Sequence, residues 1–193
     1  MKKIVKDVIS VLFLLLALPF FVIYRVEVIL VGIEKAFQGA SQFFSLFPGL
    51  SGMYFRRAFY ILTLKKCSRD CYTGFGTVFS HPGVEIGRHV YIGTNCTLGD
   101  VCISDYATIG SNVDILSGRK QHDIADINTP AQEQGGAYIK IHIGEDAWIG
   151  NSAVIMANIG KKSVIGAGSV VVDDIEDLAV AVGNPAKVIR KRT

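Results

Sequence analysis

The segment SGRKQHDIADINTPAQEQGGA, residues 117–137, carries the side chain best suited to acid–base chemistry at neutral pH. His122 stands near its start, in SGRKQHD. An imidazole titrates close to working pH and can take a proton from a weakly acidic group as that group attacks. Asp123 and Asp126 are candidates to orient the ring, as is a backbone carbonyl. A solvated loop histidine without a role is the plain alternative. His81 in FSHPG, His89 and His142 read as structural or solvent-facing, although His81 could approach a neighbouring site. Cys67 and Cys71 stand four apart in CSRDC, which is not a usual zinc spacing, and no disulfide framework is suggested. A reducing compartment is the simpler reading. The net charge of +3, with no long basic block, gives no support to a nucleic-acid partner.

The residues around this segment must position it, and they repeat every six. Ile86 opens IGRHVY, Ile92 opens IGTNCT, and Leu98 opens LGDVC, one residue short. Ile103 opens ISDYAT and Ile109 opens IGSNVD. Beyond the break, Ile143 opens IGEDAW, Ile149 opens IGNSAV, and Ile155 opens a truncated IMAN. Ile159 opens IGKKSV, Ile165 opens IGAGSV, and Val171 opens VVDDIE. A period of six fits neither a helix of 3.6 nor a plain alternation of two. It fits a strand and a corner, repeated, with the aliphatic residue inward, Gly at the turn and a small fifth residue in a narrow interior. On that pattern Cys96 and Cys102 are small buried hydrophobes. The polar segment at 117–137, with Pro130 and Gly135-Gly136, reads as a loop interrupting the array, and long loops of that kind are usually functional or disordered.

These hexads resemble those of left-handed parallel β-helix proteins with hexapeptide repeats. The resemblance runs from roughly Phe75 to Arg190. SGRKQHD, AWIGNSAVIMANIG and SVIGAGSVV are most similar to bacterial polysaccharide and sugar O-acetyltransferases, and AVAVGNPAKVIRKRT resembles their C-terminal segment. The resemblance implies a triangular prism with three hexads per turn and a homotrimer with active sites between prisms. It implies acetyl-CoA as cosubstrate, no metal, and a sugar or glycan acceptor. It implies His122 as the base that takes the acceptor hydroxyl proton, and Asn95, in TNCTLGD, as a positioning group. A corner Asn chosen for its turn angles is the bland alternative for Asn95. Trp148 matches a family aromatic beside the catalytic loop or the cofactor, and an outward Trp at a trimer contact is equally open. Ala167 and Arg190 match family contacts to CoA. Gly168 and Ser169 are small enough for the pantetheine arm to approach the backbone, and Lys187 is a further candidate for the phosphates, as are Lys162 and Lys191. Two departures stand out. Val172-Asp173 replaces a Thr-Lys, reversing a charge, and IMAN replaces a longer unit. Serine acetyltransferases have a different His context, and the spacing of the four His does not match the γ-class carbonic anhydrases. A non-catalytic trimeric membrane scaffold remains open, because fold does not fix function.

Half of the residues are hydrophobic, and the excess lies at the N-terminus. Val8–Tyr24 carries no charge, and Lys2, Lys3 and Lys6 precede it. A signal peptide would show a small-x-small cleavage site, which is missing. A spanning helix needs ~20 apolar residues. Pro19 inside the run suggests a kink, favouring a re-entrant or interfacial helix. Basic residues on both flanks place both on the cytoplasmic side. Arg56-Arg57, Lys65-Lys66 and Arg190-Lys191-Arg192 are candidates for anionic lipid heads. The expected organisation is a mainly β protein. Residues 1–33 form a hydrophobic membrane-associated helix, and residues 34–74 amphipathic helices and linker, with Phe37, Phe43, Phe44 and Phe47 on an interfacial or a packing helix. Residues 75–193 form the β-helix, with loop 117–138 and a C-terminal cap at 183–193. The expected location is the cytoplasmic membrane, with the catalytic domain facing the cytoplasm.

Overall fold

The computed structural model describes residues 2–121 and 123–193. Hexads become coils because each aliphatic residue and the residue two before it point inward, while the residue between points out. The strands are therefore only two or three residues long. β1 (Lys66–Cys67), β2 (Tyr72–Thr73) and β3 (Val78–Phe79) make the first coil. β4 (Glu85–Ile86), β5 (Tyr91–Ile92) and β6 (Thr97–Leu98) make the second, and β7 (Val101–Ile103), β8 (Thr108–Ile109) and β9 (Asp114–Ile115) the third. The chain then leaves the prism, and returns as β10 (Ile141–Ile143), β11 (Trp148–Ile149) and β12 (Val154–Ile155). A bridge at Ile159, β13 (Val164–Ile165) and β14 (Val170–Val171) make the fifth coil. A bridge at Ile175 leads into β15 (Ala179–Gly183), against which β16 (Ala186–Lys191) folds back antiparallel.

Equivalent strands stack in parallel into three sheets. The first face is β1-β4-β7-β10, the second β2-β5-β8-β11-β13-β15 and the third β3-β6-β9-β12-β14. This is a three-sided parallel β-solenoid of the left-handed β-helix type. Its interior is one aliphatic column, including Ile86, Ile92, Leu98, Ile109, Ile149 and Ile165, each at most 1% exposed. Burial of each such side chain contributes about 1.5–3 kcal/mol.

Two details of the repeat differ from the sequence reading. The left-handed backbone angles fall on the corner residues His89, Asn95, Tyr106, Asn112, Asp146, Ser152, Lys162 and Leu178, with φ between 54° and 62°. The hexad Gly serves another purpose. A Cβ on Gly93 would lie 2.6 Å from the carbonyl carbon of Gly110 in the coil above. Gly is there because the coils stack closely. Cys102 is also not an interior residue. The five-residue unit LGDVC puts Val101 two before Ile103, so Val101 turns inward and Cys102 stands outward, in register with Glu85 and His142.

Three helices close the first coil. α1 (Lys2–Val31) runs through Pro19 without a break, so the proline does not divide it into two segments. α2 (Ile33–Ser45) follows after Gly32, whose φ is 87°. α3 (Gly49–Thr63) lies over β1 and β2, and α2 lies against β3. Phe37, Phe44, Phe59 and Tyr60 are buried between these helices and the coil. Phe44 stacks on Phe59 at 4.1 Å, and Tyr60 meets Phe79 edge-on at 4.8 Å. α2 is thus a packing helix, with Phe43 as its half-exposed aromatic.

Arg56 and Arg57 do not reach outward as a pair. Arg56 is 1% exposed and donates to the carbonyls of Thr73, at 3.1 and 3.3 Å, and of Phe47. Arg57 donates to the Ser10 hydroxyl at 3.1 Å and lies over the Tyr54 ring.

Candidate active site

The chain leaves the prism at the corner between the third and first faces. The neck of the excursion is held by backbone pairs, with Ile139 N donating to Ser117 O at 3.0 Å and Ala137 N to Lys120 O at 2.7 Å. Arg119 at its root donates to Asp173 Oδ1 at 3.0 Å and to Val172 O at 3.2 Å. The reversed charge at Asp173 therefore has a partner in the loop. Asp173 fastens the excursion to a corner two coils further along the prism.

At the foot of the loop is a cavity of about 440 Å³. Thr97 and Asp114 rise into it from the third face, where they are register partners. Ser117, Gln121 and Tyr138 belong to the loop, His81 follows β3, and Gln38 comes from α2. His122 lies outside the described residues, whereas Gln121, its neighbour in sequence, lines this cavity. Neither candidate carboxylate is idle. Asp123 Oδ1 accepts from Ala125 N at 3.1 Å. Asp126 accepts from the Thr129 hydroxyl at 2.7 Å and from Asn128 N at 2.9 Å. The Thr129 hydroxyl, followed by the Asn128 N–H, holds the Asp126 carboxyl below the usual carboxylate range.

The remaining candidates gather elsewhere. Asn95 sits at the corner between the second and third faces, exposed, with φ 55° and its backbone N donating to Phe75 O at 2.9 Å. Three coils further on, the same edge carries Ala167 and Gly168, both exposed, the glycine at φ 69°. Ser169 is 1% exposed, and its hydroxyl accepts from Gly183 N at 3.1 Å. Of the small trio, Ala167 and Gly168 face outward and Ser169 faces in. Trp148 projects from the second face, 55% exposed, in register between Thr108 and Val164. Lys187 and Arg190 stand exposed on β16, opposite Val182 and Val180. Among the described residues neither meets a carboxylate. Lys191 pairs with Glu176 at 3.0 Å.

The structure thus brings Trp148, Ala167, Gly168, Lys187 and Arg190 to the second face and its edge in the last coils. The loop leaves from the opposite edge of the third face, and the cavity at its foot spans that face, reaching Thr97 and Asp114, each two residues in sequence from the corner residues Asn95 and Asn112. The sequence understated His81. Its place before the clear repeats hid the fact that it closes the first coil on the third face, beneath the returning limb of the loop. Among the described residues no group of three or more His, Cys, Asp or Glu could hold a metal ion.

A β-helix with one long excursion at a corner defines the class of structure. Comparisons with known proteins fill in that class. No protein-family model matches the chain. A Saccharomyces cerevisiae protein called "Putative acetyltransferase YJL218W" is 40% identical over 116 residues, covering 57% of each chain. The galactoside O-acetyltransferase of Lactococcus lactis is 34% identical over 119 residues, 58% of this chain and 55% of its own. The chain therefore spans a little over half the length of the curated relatives it matches. Among solved structures, a maltose O-acetyltransferase from Clostridium difficile shares the fold with a TM-score of 0.74 at 22% identity, over 86% of this chain and 89% of that one. A galactoside acetyltransferase in complex with coenzyme A superposes with a TM-score of 0.61 at 27% identity, over 80% and 78%. The resemblance to hexapeptide-repeat acetyltransferases, read from the hexads, is borne out by these relatives and by the fold.

Proposed function

We propose that the protein is an acetyl-CoA-dependent O-acetyltransferase that acetylates a sugar hydroxyl at the cytoplasmic face of a membrane, on a cell-surface polysaccharide or its lipid-linked precursor. The observation that carries the reading is the excursion at residues 117–139, rooted beside a polar cavity, on a β-helix whose sequence is similar to acetyltransferases, a galactoside O-acetyltransferase among them. A sugar hydroxyl is a poor nucleophile. His122 takes its proton as the oxygen attacks the thioester carbonyl, a C–O bond forms, and the C–S bond then breaks to release CoA thiolate. The oxyanion formed between these events needs N–H or side-chain donors nearby. Ala167 and Gly168 offer backbone without bulk to the pantetheine arm, with Ser169 supporting their corner from inside. Trp148 flanks the arm, and Lys187 and Arg190 meet the phosphates. Asn95 helps to position the acceptor.

A homotrimer with sites between prisms is what the resemblance to hexapeptide-repeat acetyltransferases implies. Exposed Ile124 and Ile127 on the loop give it an apolar surface for a neighbouring prism. Membrane association is supported by α1. Ile4–Val31 is long and apolar enough to cross a bilayer by length and composition. Its inward stripe of Phe13, Ala17, Phe20 and Tyr24 lies on the cap, while Leu15, Leu16, Val22 and Ile23 face away from it. A helix held along its side by the cap suits an in-plane position better than a free span.

Calorimetric titration of acetyl-CoA into the detergent-purified chain tests the reading. Wild type and His122→Ala bind, Arg190→Ala binds several-fold more weakly, and only wild type releases CoA in the presence of glycosides. No binding at millimolar acetyl-CoA removes the acyltransferase reading and leaves a membrane scaffold.

A further inference from the structure

The cavity at the loop's foot is lined by the imidazole of His81. His81 Nδ1 lies 3.1 Å from Glu34 Oε2. In the tautomer that donates from Nδ1 to this carboxylate, Nε2 carries no proton and is an acceptor. Among the described residues nothing bonds that nitrogen. The ring is fixed from three sides. Glu34 lies in the first turn of α2, where the helix dipole favours a carboxylate. Gln38, one turn further, donates to Ser80 O at 3.3 Å and fastens the same helix to the residue before His81. Tyr138, on the returning limb of the loop, meets the imidazole at 5.7 Å between ring centroids, inclined by 60°. The His81 side chain is 24% exposed, so it is accessible from the cavity.

The chemistry of the lining narrows what it accepts. Asp114 and the His81 Nε2 are hydrogen-bond acceptors, Gln38, Thr97 and Gln121 offer both donors and acceptors, and Tyr138 supplies an aromatic surface. Among the described residues the charged side chains at the cavity, Asp114 in its wall and Glu34 behind His81, are acidic, which disfavours a phosphate. A neutral polyhydroxyl ring, with hydroxyls to donate and an apolar face for an aromatic ring, suits these groups. We propose that His81 is an acceptor-contacting residue, receiving a hydrogen bond from a saccharide hydroxyl through Nε2, with Glu34 of α2 as its positioning residue. This rests on the acetyltransferase reading and deepens it. It makes the helical cap, and not the β-helix alone, a wall of the acceptor site.

The test uses the full chain in detergent, acetyl-CoA, and octyl β-galactoside and octyl β-glucoside as acceptor probes, with CoA release as readout. Acetyl-CoA binding is measured separately by calorimetry. His81→Leu is expected to raise the KM for glycoside and lower kcat/KM about tenfold, the loss of one hydrogen bond. Its KM and affinity for acetyl-CoA stay within twofold of wild type. Glu34→Ala shows the same acceptor defect, while Glu34→Gln, whose amide oxygen still accepts from Nδ1, recovers most of it. The proposal is overturned if His81→Leu leaves glycoside kinetics within twofold of wild type, or if acetyl-CoA and glycoside parameters fall together. It is also overturned if neither glycoside accelerates CoA release while acetyl-CoA still binds. Absence of acetyl-CoA binding would instead strike the acetyltransferase reading.

Discussion

At the scale of single residues, geometry and chemistry compete for the same positions, and Asn95 is the sharpest instance. Its left-handed φ of 55° is shared by seven other non-glycine corner residues of varied type, including a Tyr and a Leu. The corner therefore tolerates many side chains and does not by itself demand Asn, which is why the sequence left both readings open. Substitution separates them. Asn95→Gly keeps the backbone angle free of strain, whereas Asn95→Ala pays about 1 kcal/mol or somewhat more for it. If the amide positions the acceptor, both variants lose at least tenfold in kcat/KM while Gly stays folded. If the corner alone matters, Asn95→Gly turns over like wild type and only Asn95→Ala loses melting temperature. Other single positions were beyond the reach of a hexad pattern. Ser169 matches a small-residue motif, yet its hydroxyl is engaged by Gly183 N inside the fold. The pairing of Asp173 with Arg119 crosses 54 residues of chain, and sequence alone showed only a charge of unexpected sign.

At the scale of elements, the solenoid was legible because its rule is local. Each coil repeats the same inward pair of residues, and stacking follows from nearest neighbours. The rule failed where the count changed, as at LGDVC, because one missing residue reverses which side chain of the next strand points in. The helices were less legible, since their partners are far away in sequence. Whether the Phe-rich α2 meets lipid or protein is decided by α1, α3 and β3 together. Arg56 has the same history: adjacent arginines suggest a surface cluster, but only the fold reveals the carbonyls of Phe47 and Thr73 converging on one of them. Desolvation by burial pushes the Arg56 guanidinium below its ordinary range, and Tyr60 partly opposes the shift. Replacing it by Leu leaves those buried carbonyls without donors, at about 1–3 kcal/mol for each unsatisfied group. Arg56→Leu is therefore expected to lower the stability of the cap by several kcal/mol in urea unfolding. Arg57→Leu, whose partners Ser10 and Cys71 O are more superficial, should cost less. Equal losses would mean that the buried guanidinium is not what joins the helices to the first coil.

At the scale of the whole molecule, the arrangement of α1 over the cap has consequences for topology. A helix of 30 residues is about 45 Å long, more than a bilayer core of ~30 Å requires. Yet its packing stripe runs from Phe13 through Ala17 and Phe20 to Tyr24, so the cap occupies one side of it across its middle. A perpendicular span would bring that cap, with the buried Arg56 and the polar corners of the first coil, to the depth of the acyl chains. An in-plane helix instead buries Leu12, Leu15, Leu16, Val22 and Ile23 at the acyl boundary and leaves the β-helix in water. The cavity lined by His81 and by Gln38 of α2, which begins where α1 ends, would then lie on the side from which the proposed lipid-linked sugar approaches. Leu15→Glu combined with Ile23→Glu puts two charges on that outer face. Each charge costs up to ~2.5–3.5 kcal/mol on insertion scales, enough to shift the protein from sedimenting with phosphatidylglycerol vesicles to the supernatant. The same pair should leave acetyl-CoA binding unchanged, since neither residue touches the prism. Cysteines placed at Val5 and Ile29 then report orientation in intact cells. With both helix ends on the cytoplasmic side, neither reacts with an impermeant maleimide added outside. Labelling of Val5→Cys alone would mean that α1 crosses the membrane and that the cap must part from it to let it do so.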